Sequence, residues 1–147
     1  MSILPKISAD DLTGVMAYPP TPALPGAERP DARDTVDLEE TERMIRRLVA
    51  DGVDSIALNG TLGEMHTLTL DEWKAYAACV ADTVRDVSPD LPVFVGSTTL
   101  STRDTIDRLR YLRDVGINGT LHGRPMWGEM VDDVMARFYT DVAEAVP

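Results

Sequence analysis

The sequence predicts an α/β protein that comprises the first four βα units of a (β/α)8 TIM barrel. Four short apolar runs alternate with longer segments of helical periodicity, which is typical of parallel βαβ units. The runs are continuously apolar rather than alternating, as expected of strands that are buried on both faces. A barrel of eight units needs about 250 residues, whereas this chain has 147. We therefore expect residues 1–147 to form the N-terminal half of a single barrel domain that ends before the fifth strand.

The predicted strands are the apolar runs that precede turn-forming residues. They lie at residues 12–18, 53–58, 93–97 and 119–122. After the first of these strands, four prolines fall within residues 19–25. Because proline suits neither a helix interior nor a central strand, this segment begins a long loop that runs to about Asp37.

The predicted helices begin at residues that suit a helix N-terminus. Asp37 precedes the first helix, and Thr69 with Glu72 forms a capping box before the second. Ser101 or Thr102 caps the third. Apolar residues then recur on one face of each helix, namely Leu38, Met44, Ile45, Leu48 and Val49; Trp73, Tyr76, Ala77, Val80 and Val84; Ile106, Leu109, Leu112 and Val115; and Val134, Met135, Phe138, Val142 and Ala145.

Composition narrows the class of function. Acidic residues outnumber basic residues by 25 to 14, and the net charge of −11 argues against binding to nucleic acid or to an anionic membrane. No apolar stretch is long enough for a transmembrane helix, and the N-terminal residues lack the apolar core of a signal peptide. Cys79 is the single cysteine, so we expect a structural thiol in a reducing, cytoplasmic protein.

The turn at residues 59–64, Asn-Gly-Thr-Leu-Gly-Glu, is the most informative motif. It follows the second predicted strand, and ligand sites form at the C-terminal ends of parallel strands. Its glycines allow the backbone N–H groups to approach a ligand, and the Thr61 hydroxyl adds a donor. The turn predicts a site for a carboxylate or a small phosphate. The alternative is a tight βα turn in which Thr61 satisfies a local backbone group.

Two residues after the fourth predicted strand are further candidates. Arg124 and Trp127 would hold an anionic, aromatic ligand at the same edge of the sheet. The alternative is an arginine in a surface ion pair and a tryptophan packed under a loop. The two histidines, His66 and His122, have no spacing typical of a metal site even with Glu64 beside them, so we expect no metal ion.

Five stretches together resemble a known family. The chain is similar to the dihydrodipicolinate synthase and N-acetylneuraminate lyase superfamily of Schiff-base aldolases. It resembles most closely the trans-o-hydroxybenzylidenepyruvate hydratase-aldolases and the related carboxybenzalpyruvate aldolases of polycyclic-aromatic breakdown. The Gly-Arg-Pro-Met-Trp run resembles that branch in particular. The matching stretches are residues 14–22, 59–64, 98–105, 119–127 and 138–147.

The resemblance implies roles for the candidate site residues. The turn would hold the carboxylate of pyruvate through Gly60, Thr61 and the Leu62 N–H, and Trp127 would face the aromatic ring of the substrate. The wider superfamily often has a second hydroxyl residue where this chain has Leu62, so only the Leu62 backbone is left to donate. Arg124 suggests an anionic substituent. The family also implies a homo-oligomer that acts on a small molecule without a cofactor.

The implied reaction is hydration of a benzylidenepyruvate double bond, followed by retro-aldol cleavage to an aromatic aldehyde and pyruvate. This chemistry requires a lysine that forms an imine with the ketone. In the family the lysine lies on the sixth strand and a relay tyrosine on the fifth, so we expect both beyond Pro147. Lys6 and Lys74 are not at strand ends, and neither is expected to form the imine. The 147-residue chain alone is therefore predicted to be inactive.

Two other readings stay open at this point. The chain would be a non-catalytic half-barrel that self-associates or complements a partner, because its first and fourth strands would have unpaired edges. Alternatively, it would be a small α/β domain that binds phosphate through Thr61.

Overall fold

A computed structural model describes residues 5–125 and 127–146 of the chain. Four parallel strands form one sheet in the order β1-β2-β3-β4, and a helix follows each strand. This arrangement confirms the predicted βα units. Predictions that involve residues 1–4, Met126 or Pro147 lie outside the described residues. The elements are β1 (Met16–Ala17), α1 (Leu38–Ala50), β2 (Ser55–Leu58), α2 (Leu70–Val87), β3 (Val93–Gly96), α3 (Thr102–Val115), β4 (Gly119–Leu121) and α4 (Asp132–Ala145), with a 3-10 turn at Ala9–Asp11.

The strands are shorter than the apolar runs that predict them, and β1 differs most. Gly14 has a φ of +73°, and a Cβ there would overlap the Asp54 carboxylate. That carboxylate instead accepts a hydrogen bond of 2.6 Å from the Val15 N–H. Pairing begins only at Met16, which lies opposite Ser55 of β2. The left-handed residue therefore delays the strand by four residues relative to the prediction.

The capping predictions are confirmed at atomic level. Asp37 accepts the Glu40 N–H at the start of α1, and Thr69 with Glu72 closes a capping box at the start of α2. Ser101, rather than Thr102, caps α3. Because glycine tolerates a left-handed backbone, the first and third helices end at glycines 52 and 116, with φ of +83° and +97°.

The core lies between the sheet and the helices, and α2 contributes more of it than any other element. Trp73, Tyr76, Val80 and Val84 are fully buried, together with Ile45 of α1. Burying side chains of this size contributes about 1.5–3 kcal/mol each to folding. Leucine 38 and valine 134 lie in the first turns of their helices and are largely exposed, contrary to the face predictions. No helix in the described ranges is long and apolar enough to cross a membrane.

The long loop between β1 and α1 is held against α2 by one carboxylate. Oε1 of Glu72 accepts hydrogen bonds from the N–H and the hydroxyl of Thr35, both at 2.8 Å. Its Oε2 accepts the N–H and the hydroxyl of Thr69 at 2.8 and 2.7 Å. These hydrogen bonds, the one from the Thr35 N–H first, lower the pKa of Glu72 to about 2. The loop predicted from its prolines is thereby fixed beside the C-terminal edge of the sheet.

Candidate functional site

An open cleft of about 620 Å³ lies at the C-terminal end of the sheet. Residues from the loops after all four strands line it. They include Gly60, Thr61 and Leu62 after β2 and Arg124 after β4. The structure therefore brings together four of the five residues that the sequence singles out for substrate binding.

The segment at residues 59–64, called here the β2 turn, folds back on itself. The Glu64 N–H donates to the Thr61 carbonyl at 3.1 Å, and the Met65 N–H donates to the Gly60 carbonyl at 3.3 Å. The left-handed positions are Asn59 and Glu64, with φ of 49° and 52°, rather than the glycines. From the sequence, Gly60 and Gly63 were explained by the close approach of a ligand to the backbone. The structure adds that they permit close approach of the chain to itself.

Two distances support that reading of the glycines. A Cβ at Gly63 would lie 2.5 Å from the Asn59 Cα, and a Cβ at Gly60 would lie 2.9 Å from the Leu121 Cδ1. Real Cβ atoms do not approach backbone this closely. Any side chain at Gly63 would therefore force the turn open.

The β2 turn presents donors that have no protein partner. The N–H groups of Thr61 and Leu62 and the Thr61 hydroxyl donate to no acceptor within residues 5–125 and 127–146. Both residues are exposed in the cleft. The alternative in which the Thr61 hydroxyl satisfies a local backbone group is therefore not what the structure contains. Successive unpaired N–H groups in a tight turn suit a small anion.

Arg124 provides the positive charge of the cleft. It is exposed, and none of the ion pairs among the described residues includes it. The surface ion pair that was its alternative role is therefore not formed. Tyr18, Met65 and Leu121 supply apolar wall in the same cleft. The arrangement suits a small molecule with a carboxylate and an apolar body.

His122 also lines the cleft, and a chain of hydroxyl groups fixes its tautomer. The Thr120 hydroxyl donates to the Val95 carbonyl at 2.9 Å, so it can only accept from the Ser97 hydroxyl, 2.7 Å away. Because the Ser97 proton is then used, the His122 Nδ1, at 3.3 Å from Ser97 Oγ, must be the donor. The lone pair of His122 therefore lies on Nε2.

The Nε2 atom of His122 is buried, and no described residue hydrogen-bonds to it. The ring stacks on Phe138 of α4 with a centroid distance of 5.3 Å. Burial lowers the pKa of His122. The neutral ring thus packs between β4 and α4. His66 lines a separate depression, and the described residues contain no cluster of three or more side chains that suits a metal ion.

Trp127 is the predicted site residue that the structure does not bring to the cleft. Its side chain is 87% exposed and borders a separate depression beside Leu100 and Val134. It is therefore neither packed under a loop nor directed at the cleft ligand. Contact with an aromatic ring in the cleft would require the Trp127 side chain to move. Its assignment stays a prediction.

The two lysines lie away from the cleft. The Lys74 ammonium is 5.5 Å from the centre of the Tyr111 ring, in a groove between α2 and α3. Lys6 is exposed near Gly119, at the opposite end of the sheet. Cys79 is half-buried, its thiol donates to the Leu38 carbonyl at 3.5 Å, and burial raises the pKa of the thiol. Neither lysine lies at the C-terminal end of a strand, as expected, and the position of Cys79 agrees with the structural thiol expected there.

Sequence reasoning missed several lining residues, of which Tyr18 and Thr98 are the clearest. They follow β1 and β3 at the same edge of the sheet as the β2 turn. A position just after a parallel strand would therefore have been enough to predict both residues. Such positions were considered after the second and fourth strands, where a motif is present, and not after the first and third.

Known proteins to which this chain is similar include hydratase-aldolases. The chain is 47% identical to the trans-2'-carboxybenzalpyruvate hydratase-aldolase of Nocardioides sp. (strain KP7) over 143 residues, which cover 97% of this chain and 42% of the relative. It is 43% identical to the trans-o-hydroxybenzylidenepyruvate hydratase-aldolase of Pseudomonas aeruginosa, with the same coverage of both chains. The chain thus spans about two fifths of the length of these relatives. The resemblance inferred from the motifs is confirmed.

Solved structures give the same result for the fold. The structure of PhdJ bound to a substrate intermediate superimposes with a TM-score of 0.90 at 46% identity, covering 97% of this chain and 43% of that one. The four βα units therefore correspond to the first units of a TIM barrel, as predicted. A model of the dihydrodipicolinate synthetase family matches residues 27–147. The chain belongs to the dihydrodipicolinate synthetase family.

Proposed function

We propose that this chain supplies the first four units of a pyruvate-releasing hydratase-aldolase that acts on a benzylidenepyruvate in the cytoplasm. The observation that carries the proposal is the cleft in which the unpaired donors of Thr61 and Leu62 face the same space as Arg124. The names of the relatives support the reaction class. The coverage of these relatives supports the view that the remaining units lie outside residues 1–147.

Each cleft residue has a part in holding the substrate. Gly60 allows the turn to pass close to Leu121, and the Thr61 hydroxyl and the Leu62 N–H bind the carboxylate of the 2-oxo acid. Arg124 adds positive charge at the same end of the cleft, where an otherwise acidic chain would repel an anion. Trp127 packs on the aromatic ring once the substrate is bound.

The chemistry itself requires an imine between the substrate ketone and a lysine that we expect beyond Pro147. Water adds across the double bond, so that the hydroxyl joins the aryl-bearing carbon and a proton joins the neighbouring carbon. Loss of the hydroxyl proton then breaks the bond between these carbons, and the imine accepts the electron pair. Protonation and hydrolysis release pyruvate. This chain alone binds substrate and does not turn it over.

Binding is tested by titrating the isotope-labelled chain with pyruvate and following its backbone amide signals. We expect the signals of Thr61, Leu62 and Gly63 to shift most. The matched variant Thr61→Val keeps the shape of the side chain and removes the hydroxyl, so its affinity should fall about tenfold. Inorganic phosphate is the comparison ligand. Tighter binding of phosphate than of pyruvate would favour the phosphate-binding reading instead.

Catalysis is tested by co-expressing the chain with the part of the Nocardioides relative that follows the matched region. We expect cleavage of trans-2'-carboxybenzalpyruvate only when both parts are present, and loss of that activity with Thr61→Val. Borohydride treatment of this chain alone with pyruvate should leave Lys6 and Lys74 unmodified. A pyruvyl adduct on either lysine, or turnover by the chain alone, would contradict the proposal.

A second candidate is a non-catalytic half-barrel that acts through assembly. It is favoured by one observation, which is that within the described residues β1 and β4 each pair with a single strand and leave an edge open. Light scattering coupled to size exclusion separates the two ideas. A stable complex of two copies that binds no pyruvate would support assembly alone, whereas homo-oligomerisation together with pyruvate binding fits the enzyme.

A further inference from the structure

Two side chains hold the β2 turn in place by hydrogen bonds. Neither is among the described residues that line the cleft. One is Thr21, in the loop after β1, and the other is Asn59, directly after β2. They are 38 residues apart in sequence, and both hydrogen-bond to the Gly63 carbonyl. Neither has a role in the function proposed above.

The three groups form a closed triangle of hydrogen bonds. The Asn59 amide donates to the Gly63 carbonyl at 3.0 Å and to the Thr21 Oγ1 at 3.1 Å. The Thr21 hydroxyl donates to the same carbonyl at 2.7 Å. The Gly63 carbonyl therefore accepts two hydrogen bonds, one from a fully buried side chain. Both protons of the amide are used.

The backbone at Asn59 fits this arrangement. Its φ of 49° is left-handed, a conformation that asparagine tolerates better than other non-glycine residues. Its side-chain oxygen, Oδ1, is buried without a partner among the described residues. Leaving a buried acceptor unpaired costs free energy. The Asn59 amide nevertheless keeps the orientation in which its N–H protons donate to Gly63 and Thr21, so these two hydrogen bonds determine how it is oriented.

The triangle has a direct electrostatic consequence for the cleft. A peptide carbonyl that faced the cleft would repel a bound carboxylate. Two donors beneath the turn keep the Gly63 oxygen paired and away from a ligand. The N–H groups of Thr61 and Leu62, which have no partner among the described residues, are then left to face a ligand in the cleft.

We propose that Thr21 and Asn59 are positioning residues that fix the conformation of the β2 turn, by clamping its Gly63 carbonyl, so that its N–H groups are free to bind an anion. The identity of that anion rests on the proposed function. The clamp itself does not, because its three hydrogen bonds join groups of this chain alone.

The test compares Thr21→Val, which removes the hydroxyl at nearly constant volume, with Thr21→Ser, which keeps it. Hydrogen exchange is measured in the full chain at the amides of Glu64 and Met65, which close the turn, and at the amides of α2 as an internal reference. We expect Thr21→Val to accelerate exchange at the two turn amides about tenfold and to leave α2 unchanged. Thr21→Ser should restore the exchange rate.

Two substitutions at Asn59 separate the amide from the backbone. Asn59→Gly keeps the left-handed conformation without strain and removes the amide, whereas Asn59→Asp keeps the shape and removes both donors. Both should accelerate exchange in the turn as Thr21→Val does. If only Asn59→Asp did so, the effect would come from the buried charge, and the clamp would be refuted.

Pyruvate titration of the same variants distinguishes positioning from direct contact. We expect the affinity to fall about tenfold in Thr21→Val and to return in Thr21→Ser, in parallel with the exchange rates. Unchanged exchange and unchanged affinity in Thr21→Val would overturn the proposal, as would lost affinity with normal exchange. If the unmodified chain failed to bind pyruvate while Thr21→Val still loosened the turn, the positioning role would stand and the proposed function would fail.

Discussion

The two segments with the most distinctive sequence motifs, the β2 turn and the segment after β4, differ in how the protein holds them. In the β2 turn, buried Asn59 and the loop residue Thr21 fix the backbone. After β4, the Gly123 N–H donates to the Thr98 hydroxyl oxygen at 2.8 Å, while Arg124 and Trp127 are exposed. Both motifs specify residue types, but only the first includes a residue, Asn59, that positions its own backbone. The backbone of the β2 turn is thus held by side chains, whereas the Trp127 side chain is exposed.

The largest expected difference comes from adding a methyl group to one glycine in each segment. A Cβ at Gly63 would lie 2.5 Å from the Asn59 backbone, whereas a Cβ at Gly123 would lie 3.2 Å from the Thr98 side chain. We expect Gly63→Ala to lower the free energy of unfolding by about 3 kcal/mol and Gly123→Ala to lower it by less than about 1 kcal/mol. Urea unfolding measures both. Equal losses would mean that the two segments are equally constrained.

The next effect concerns Glu72, which ties the Thr21-bearing loop to α2. We expect Glu72→Gln to cost about 2 kcal/mol, because a neutral amide cannot accept all four hydrogen bonds. The exposed Glu39→Gln, in the first turn of α1, should change stability by less than about 0.5 kcal/mol.

Acid titration tests the same carboxylate. Because the folded-state pKa of Glu72 is about 2, below its ordinary value of 4.5, its contribution is complete above pH 4.5 and is lost as the pH falls toward 2. Thermal unfolding across that range should show a smaller decline in Glu72→Gln than in the unmodified chain. Identical pH profiles would rule out this role for the carboxylate.

A smaller effect is expected beside β4, at His122. Burial lowers its folded-state pKa below 6.5, so the unfolded chain binds the proton more readily and stability falls as the pH drops below about 6.5. Since the ring is only half-buried, the loss should be less than about 1 kcal/mol. His122→Phe should remove this step, and His66→Gln, at an exposed position, should leave it. A step that followed His66 would contradict the assignment.

The smallest effect on folding is expected at Trp127. With 87% of its side chain exposed, Trp127→Ala should alter the free energy of unfolding by less than about 0.5 kcal/mol. In the co-expressed enzyme the same change should raise the KM for the aromatic substrate several-fold and leave the binding of pyruvate intact. A loss of pyruvate affinity would place the indole nearer the β2 turn than the structure has it.

Local sequence signals predicted the elements of the fold well, because their physical causes are local. The capping box of Thr69 and Glu72 and the left-handed stop at Gly116 depend on residues within one helical turn. The predicted start of β1 was wrong because Gly14 is left-handed and the Val15 N–H bonds to Asp54, 39 residues later, so that strand pairing begins only at Met16.

The features of the candidate site also divide into those that local sequence predicted and those that depend on distant contacts. The donors of the β2 turn are contiguous in sequence, so the motif was sufficient to find them. The hydrogen bond from Thr21 to Gly63 spans 42 residues, and nothing near Thr21 indicates it. The exposure of Trp127 was likewise not predicted, because the Gly-Arg-Pro-Met-Trp run does not indicate which distant residues would cover the indole.

The carboxylate of Glu72 also sets an order of events during synthesis. Its partner in the loop, Thr35, precedes it by 37 residues, so the loop leaves the ribosome before the group that anchors it. The loop therefore lacks this anchor until the first turn of α2 has formed. Contacts of such sequence separation slow folding because the intervening chain must be ordered first. Asn59 and Gly63, the partners of Thr21 in the clamp, are synthesised before Glu72, so the clamp can form before the loop is tied to α2.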